Sequence, residues 1–492
     1  MTEAPATRKH GKNAFLFVIV CVAMDMMGFG IIIPVMPSLL EELTGNPASE
    51  TIVIGGYLMA TYGILNFVAM PTIGSLSDRF GRRPVLLVSI ATLGMDFIIM
   101  GLADSVWLLF VGRALTGISS ATFSTANAYI ADVTDPEERG KAFGMIGAAF
   151  GIGFILGPAI GGLLGSIDTR LPFFGAAALS ILNFLYGFFV LPESLAKEDR
   201  RAFDAKRANP FGAVKHFSKI PKVGWFIVAF GIFQFAHSVF PSTWNFYSDI
   251  RYDWSETQIG LSLAAVGLGS ALTQVLLIGP SISRFGPVRS ALGGIGIMVV
   301  ALGLFAGAFQ GWMVYAIIPL SALGGVFGPS INQIMSGLTP RNAQGELQGA
   351  TASLNAFSII FAPLLMTQTL HAFSSDDAPV YFPGAAFLLA SVLTALVFIP
   401  FMMGVRANRE EVATLAAASD DARPSHLATG TVPPLRLETS PCPNDALPSF
   451  WTATASSMSI AVMSAVSRIL SGSTAPKSAS RHSIVAAGMS SW

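Results

Sequence analysis

Residues 144–162 read GMIGAAFGIGFILGPAIGG, an uncharged run with seven glycines and a proline. As a helix it is about 28 Å long, close to the roughly 30 Å hydrocarbon core of a bilayer. On aqueous scales glycine costs a helix about 1 kcal/mol against alanine, and an internal proline about 3. A helix built this way needs close neighbours to offset that cost, and within a bilayer small residues let backbones approach.

The rest of the chain supplies the bilayer. Of 492 residues, 52% are hydrophobic and 12% charged, against about 25% charged in soluble domains, too few to cover a water-exposed surface. Apolar runs recur at 14–36, 51–73, 84–103, 106–131, 142–165, 172–191, 223–247, 257–278, 289–309, 312–336, 346–371 and 380–404. Each is long enough to cross a bilayer as helix, so an all-α membrane protein with twelve transmembrane helices is expected. The segment MTEAPATRKHGKN resembles the basic flank of a signal peptide. The apolar run after it reaches Pro37 without a small-residue cleavage site, however, and reads as a retained first helix.

Net charge is zero, with 29 basic and 29 acidic residues, and gives no reason to expect a nucleic-acid partner. Where the charges sit says more. With the N-terminus inside, the cytoplasmic segments hold 21 Lys and Arg and the outer loops only Arg170 and Arg251. The positive-inside rule thus puts both termini in the cytoplasm of a multi-pass protein in the plasma (cytoplasmic) membrane. The expected divisions are a cytoplasmic N-terminus (1–13), a six-helix half (14–191), a cytoplasmic linker (192–222), a second six-helix half (223–404) and a tail (405–492). The tail is rich in Ala, Ser, Thr and Pro and reads as disordered.

The two halves are pseudo-symmetric. Gly74, Arg79, Phe80, Gly81, Trp107, Asn127, Thr134, Gly140, Gly144 and Pro158 recur 205 positions later as Gly279, Arg284, Phe285, Gly286, Trp312, Asn332, Thr339, Gly345, Gly349 and Pro363. Parallel halves with a site between them near the midplane form a transporter architecture.

The string GSLSDRFGRRPVLL, residues 74–87, is more specific than a merely basic loop. Gly74 and Gly81 suit a tight turn. Asp78 stands just ahead of the third span, where it can pair with Arg82 or Arg83, and Arg79 adds a third positive charge. Such a cluster can gate the cytoplasmic mouth by latching one half to the other. Ser283 stands at the equivalent of Asp78 and makes the latch lopsided.

This string resembles the loop signature of the major facilitator superfamily. Together with MDMMGFGIIIPVMPSLL, LLFVGRALTG and LPES, it resembles the twelve-span drug/proton antiporters, in their tetracycline-exporter (TCR/Tet) branch. The likeness covers about residues 14–404. It implies the major facilitator fold and proton-coupled export of a small molecule, of the drug or tetracycline kind, by alternating access. In that branch an acid in the ninth span and a histidine in the eighth take part, and here Ile297 and Ser270 occupy the matching places.

Three charges lie deep in the apolar runs: Asp25 in the first, Asp96 in the third and Arg113 in the fourth. Each costs about 3 kcal/mol at a helix centre by insertion scales and is expected to face a cavity and pair. Burial and a nearby arginine act oppositely on a carboxylate's proton affinity. Asp25 and Asp96 are therefore the expected proton-coupling residues, with Arg113 tuning them. His237, the only histidine well inside a span, is a second proton carrier. Gln234, Asn245, Gln274, Asn332, Gln333 and Asn355 are candidates to line a substrate site, although each is also suited to an interhelical hydrogen bond.

HExxH, GxSxG, GxxxxGK[ST] and metal-spaced His and Cys clusters do not occur, so no enzyme, metal, cofactor or direct ATP use is expected. The expected partners are a small-molecule substrate, protons and the lipid bilayer. Symport, a narrow metabolite exporter and a non-transporting sensor stay open on the residues alone, as does oligomeric state. Gly144, Gly153, Gly157, Pro158, Gly161 and Gly162 match the fifth-span motif that the resemblance associates with antiporters. Gly153, Gly157 and Gly161 share one helical face, while Gly144, Pro158 and Gly162 share another. Two bare faces imply two close neighbours, one across the seam between the halves. On this reading Gly157→Leu abolishes coupled efflux without preventing insertion.

Overall fold

The computed structural model describes residues 11–119, 122–134, 138–201, 221–340, 343–412 and 414, and every regular element among them is helical. In chain order these are α1 (Gly11–Ile32), α2 (Met36–Thr44), α3 (Ala48–Phe80), α4 (Arg82–Gly101), α5 (Val106–Ser119), α6 (Thr122–Val133), α7 (Arg139–Gly165) and α8 (Leu171–Val190). There follow α9 (Gly224–His237), α10 (Val239–Tyr252), α11 (Glu256–Leu272), a π segment (Thr273–Leu277), α12 (Ile278–Gly307), α13 (Gly311–Gly324), α14 (Phe327–Leu338), α15 (Gln344–Ala372), α16 (Ala385–Leu396) and α17 (Phe398–Ala407).

Among the described residues nine helical stretches are long and apolar enough to cross a membrane, ten if the α1–α2 pair, bent by 45°, is one span. The stretch Glu256–Gly307 covers 52 residues, far more than one crossing needs. It breaks at Gly286, where φ is 75° and ψ 161°, so it is two crossings. Counting α5 with α6 as another gives twelve.

Local sequence explains where spans stop or bend. Pro34 and Pro37 each lack an amide N–H, and α1 ends at Ile32 before a separate short helix, where the sequence suggested one run to 36. The seventh, tenth and twelfth spans are each broken between two helices, near Ser238, Gly325 and Val397. The chain stays helical past 405: α17 reaches Ala407, and Asn408 Nδ2 donates to the Lys222 carbonyl at 2.8 Å. The tail from 415, most of the linker (202–220) and residues 1–10 lie outside the described residues.

In the first half α1 packs on α7 and α8, α4 on α8, and α3 on α5; in the second, α12 packs on α13 and α16, and α9 on α15 and α17. The halves meet along α7–α11 and α3–α15, with α10 against α3. Hydrogen bonds that cross between halves gather at the end away from the 74–83 loop. Among the described residues they are Ser38 Oγ to Glu256 Oε1 (2.7 Å), Thr257 Oγ1 to Gly162 O (3.0 Å), Asn245 Nδ2 to Ile33 O (3.0 Å), His371 Nδ1 with Ser49 O (2.7 Å) and Gln368 Nε2 to Tyr57 Oη (3.4 Å). Toward the loop end a Cβ added at Gly144, Gly147 or Gly151 of α7, or at Gly345 of α15, would meet nothing within 4 Å. The halves are closed on each other at one end and spread at the other.

Candidate functional site

Asp25 sits in the middle of α1, 2% exposed. Asn183 of α8 reaches it: Nδ2 donates to Asp25 Oδ1 at 2.9 Å and to the Cys21 carbonyl at 3.2 Å. The surrounding core joins Phe17, Val18, Cys21 and Val22 of α1 with Leu86, Ile90, Tyr129, Ile130 and Ile146. A carboxylate among these side chains is placed by hydrogen bonding, in a setting where an unmet polar group is expensive.

Asp96 is fully buried on α4, where it accepts from Thr116 Oγ1 and lies 3.6 Å from Arg113 Nη2. Gly112 makes room for it, since a Cβ there would overlap Asp96 Oδ1. The same arginine nitrogen is 3.1 Å from Met100 Sδ. Arg113 thus pairs with Asp96 across α4–α5, whereas Asp25 is held from α8.

The loop expected at 74–83 is helical up to Phe80 and again from Arg82, so Gly74 lies within α3 and the chain turns on Gly81 alone, with φ 106° and ψ 161°, a region essentially reserved for glycine. Arg82 Nη1 pairs with Asp78 Oδ1 at 2.6 Å and reaches Ser77 Oγ at 3.2 Å, while Arg82 Nε meets Asp132 Oδ2 at 3.2 Å. Glu193 Oε1 accepts from the Arg82 amide at 2.8 Å, and its Oε2 lies 3.8 Å from Arg200. Ser194 Oγ donates to Asp132 at 3.1 Å, and Arg83 Nη2 to the Phe188 carbonyl at 2.7 Å. Arg79 lies over the Phe80 ring. Among the described residues these partners belong to the first half and the stretch directly after it.

On α7, Gly153, Gly157 and Gly161 lie against α1. A Cβ at Gly153 would come 2.6 Å from Ala23 O, one at Gly157 2.6 Å from Met27 O, and one at Gly161 2.8 Å from Ile31 Cα. Pro158 and Gly162 face α11: a Cβ at Gly260 would be 3.1 Å from Pro158 C, and one at Gly162 2.9 Å from Thr257 Cα. Gly144, on that second face, has open space. Gly157 is therefore buried inside its own half, and Gly157→Leu drives α1 and α7 apart instead of blocking the seam. The expected loss is now in folded protein, which replaces the separation of insertion from activity suggested by the sequence. Helix α7 itself runs unbroken through Pro158.

A sequence profile of the Major Facilitator Superfamily matches residues 18–252 and 240–472. The tetracycline resistance protein, class C, of Escherichia coli is 37% identical over 378 residues, 77% of this chain and 95% of that protein. The chain belongs to the Major Facilitator Superfamily. Within it the class G tetracycline resistance protein of Vibrio anguillarum is also 37% identical, over 356 residues, 72% of this chain and 90% of its own length. The fold agrees: the crystal structure of the human organic anion transporter MFSD10 superposes with a TM-score of 0.61 at 21% identity, covering 81% of this chain and all of that one. This major facilitator is a multi-pass membrane transporter and not an enzyme.

The polar candidates of this major facilitator fall into two groups. Gln234 Nε2 donates to Asn355 Oδ1 at 3.1 Å between α9 and α15, and Asn245 spends its amide on Ile33 O across the halves. Gln274 lies in the π segment, and Asn332 and Gln333 on α14; all three are exposed. His237 closes α9 at the break in the seventh span, its ring centroid 5.9 Å from Phe233 and 5.3 Å from Phe240. Among the described residues no group of three His, Cys, Asp or Glu is placed to hold a metal ion. Sequence reasoning missed Asn183, Thr116, Asp132 and Glu193. The acid in LPES was visible as part of the family string, but Asn183 and Thr116 are ordinary polar residues of apolar runs and carried no signal.

Proposed function

We propose that this protein is a proton-coupled antiporter that exports a small amphipathic compound from the cytoplasm by alternating access of its two halves. Both termini then lie in the cytoplasm of the bacterial-type plasma membrane, and the spread end faces the cytoplasm. Asp25 and Asp96 exchange the protons, and Arg113, fixed beside Asp96, sets the charge that Asp96 meets as the halves move. His237, at a helix break, is a second protonatable group where the ninth span has Ile297. The 74–83 cluster gates the cytoplasmic mouth by holding the first half rigid as it swings. The glycines of α7 keep that helix within touch of both α1 and α11. Gln274, Asn332 and Gln333 offer hydrogen bonds to substrate, and Gln234, Asn245 and Asn355 do so when the halves rearrange.

The observation that carries this reading is three buried charged groups of the first half, Asp25, Asp96 and Arg113, in a chain whose relatives are named for tetracycline resistance. Nothing in packing requires a carboxylate at either position, and each is costly in a membrane. The test is proton-gradient-driven uptake of tetracycline and of ethidium into everted vesicles by the wild type, Asp25→Asn and Asp96→Asn. Loss of coupled uptake in both variants is expected. Full coupled uptake in both overturns the assignment.

A further inference from the structure

The proton-exchange reading assigns a task to Asp25 but none to the group that touches it. Asn183 is completely buried, and its side-chain nitrogen lies within hydrogen-bond distance of two acceptors on α1, Asp25 Oδ1 and the Cys21 carbonyl. Which end of a buried amide faces which partner is decided by its hydrogen bonds. A backbone carbonyl only accepts, so the Cys21 contact requires the NH2 end to face α1. That same end then meets the carboxylate. An asparagine without the second contact could turn over and offer its oxygen to a protonated acid. Here turning over would set two oxygens against each other at Cys21.

We propose that Asn183 is a positioning residue for the proton step: pinned by the Cys21 carbonyl, it presents a donor, never an acceptor, to Asp25. The amide holds Oδ1. A fixed donor binds an oxygen of the carboxylate more strongly than the carbonyl oxygen of the protonated acid, so Asn183 sets the pH at which Asp25 loads. This rests on the reading of Asp25 given above and adds the residue that tunes it. Among the described residues, Cys21 on α1 itself, Tyr129 on α6 and Tyr186 on α8 are titratable groups in the surrounding packing. The Tyr129 hydroxyl is committed to the Pro192 carbonyl at 2.9 Å. Residues 144–165 of α7, the other helix packed along α1, carry no titratable side chain.

The test uses the full chain reconstituted in liposomes, with an infrared pH titration of the carboxylic C=O stretch, which needs no substrate. Asp25→Asn identifies the Asp25 band by removing it. In Asn183→Leu, similar in volume but without a donor, the midpoint of that band is expected about one pH unit more alkaline, the value of roughly one hydrogen bond to a charged group. Its frequency is expected to rise as the oxygen loses its donor. Asn183→Ser, which keeps a smaller donor, is expected between the two and serves if the leucine variant does not fold. An unmoved midpoint in a folded variant overturns the role of Asn183 while leaving Asp25 intact. If Asp25→Asn removes no titrating band, the assignment of Asp25 fails, and with it the ground of the inference.

Discussion

The two halves of this major facilitator share a backbone joint but not a chemistry. Gly81 and Gly286, equivalent by the 205-residue repeat, both sit at positive φ with ψ of 161°, where α3 meets α4 and where α12 breaks. Around Gly81, Arg82 gathers Ser77, Asp78 and Asp132, and Glu193 closes the turn. At the same offset in the second half stand Pro287 for Arg82, Ser283 for Asp78 and Gly337 for Asp132. There Ser281 Oγ donates to Ser290 Oγ at 3.1 Å and Ser283 Oγ to the Pro280 carbonyl at 3.2 Å. The buried charges divide the same way, with Phe230, Ala301 and Ile318 at the equivalents of Asp25, Asp96 and Arg113. What survives from the duplication is the turn geometry, which only glycine satisfies. Arg79 recurs as Arg284, but Asp78, Arg82, Asp132 and the three buried charges stand in the first copy only, where a working site needs them and desolvation can be repaid by partners.

The sharpest way to break this comparison is to put the same side chain at both joints. Gly81→Val and Gly286→Val each force a branched residue into a glycine-only conformation, at about 1–3 kcal/mol. At Gly81 the new Cβ also falls 2.6 Å from Glu193 Cδ and 3.0 Å from Arg200 Nη2. Thermal unfolding of purified protein is expected to show Gly81→Val several degrees below Gly286→Val. Equal losses would mean that the charge cluster adds nothing to the turn.

A smaller effect is expected from Arg82→Ala set against Ser283→Ala. Arg82 is largely buried and its loss leaves Asp132 and Asp78 short of a cation, a change of about 2–3 kcal/mol in unfolding free energy. Ser283, at the place of Asp78, is exposed and donates to the Pro280 carbonyl at 3.2 Å, a neutral hydrogen bond worth about 0.5–1.5 kcal/mol. Comparable destabilisation in the two variants would erase the asymmetry.

The smallest expected effect lies at the end of the second half, where Lys222 Nζ and Glu411 Oε1 are 2.7 Å apart on the surface. The Lys222 hydrogen bond holds the Glu411 carboxyl below its ordinary range. A depressed folded value contributes stability above the unfolded value and loses it as pH falls through the folded one. Wild type and Glu411→Gln should therefore melt within about a degree of each other at pH 7, and the small difference should vanish as pH falls below about 4. A large difference would show that the second half does hold a strong ion pair.

Much of the site was legible before the fold. Asp25, Asp96 and Arg113 stood out because hydropathy makes an ionisable residue in a span conspicuous, and the 74–83 string carried its own glycine and charge pattern. Their partners were not legible. Asn183 lies 158 residues from Asp25 and Thr116 twenty from Asp96, and neither residue type is unusual in a span. The glycine faces of α7 could be drawn on a helical wheel, but which face meets α1 and which meets α11 could not.

The sequence by itself determined that this chain spans a membrane twelve times in two related halves, because apolar length, loop charge and a gapless repeat are local or periodic properties. Tertiary structure alone decided which helix answers each buried charge. It also made Gly157 a residue of its own half and Gly162 one of the seam, and it placed the crossing hydrogen bonds at one end of the molecule. These depend on how helices far apart in the chain pack side by side. A hydrogen bond acts over about 3 Å, so it is blind to separation along the chain.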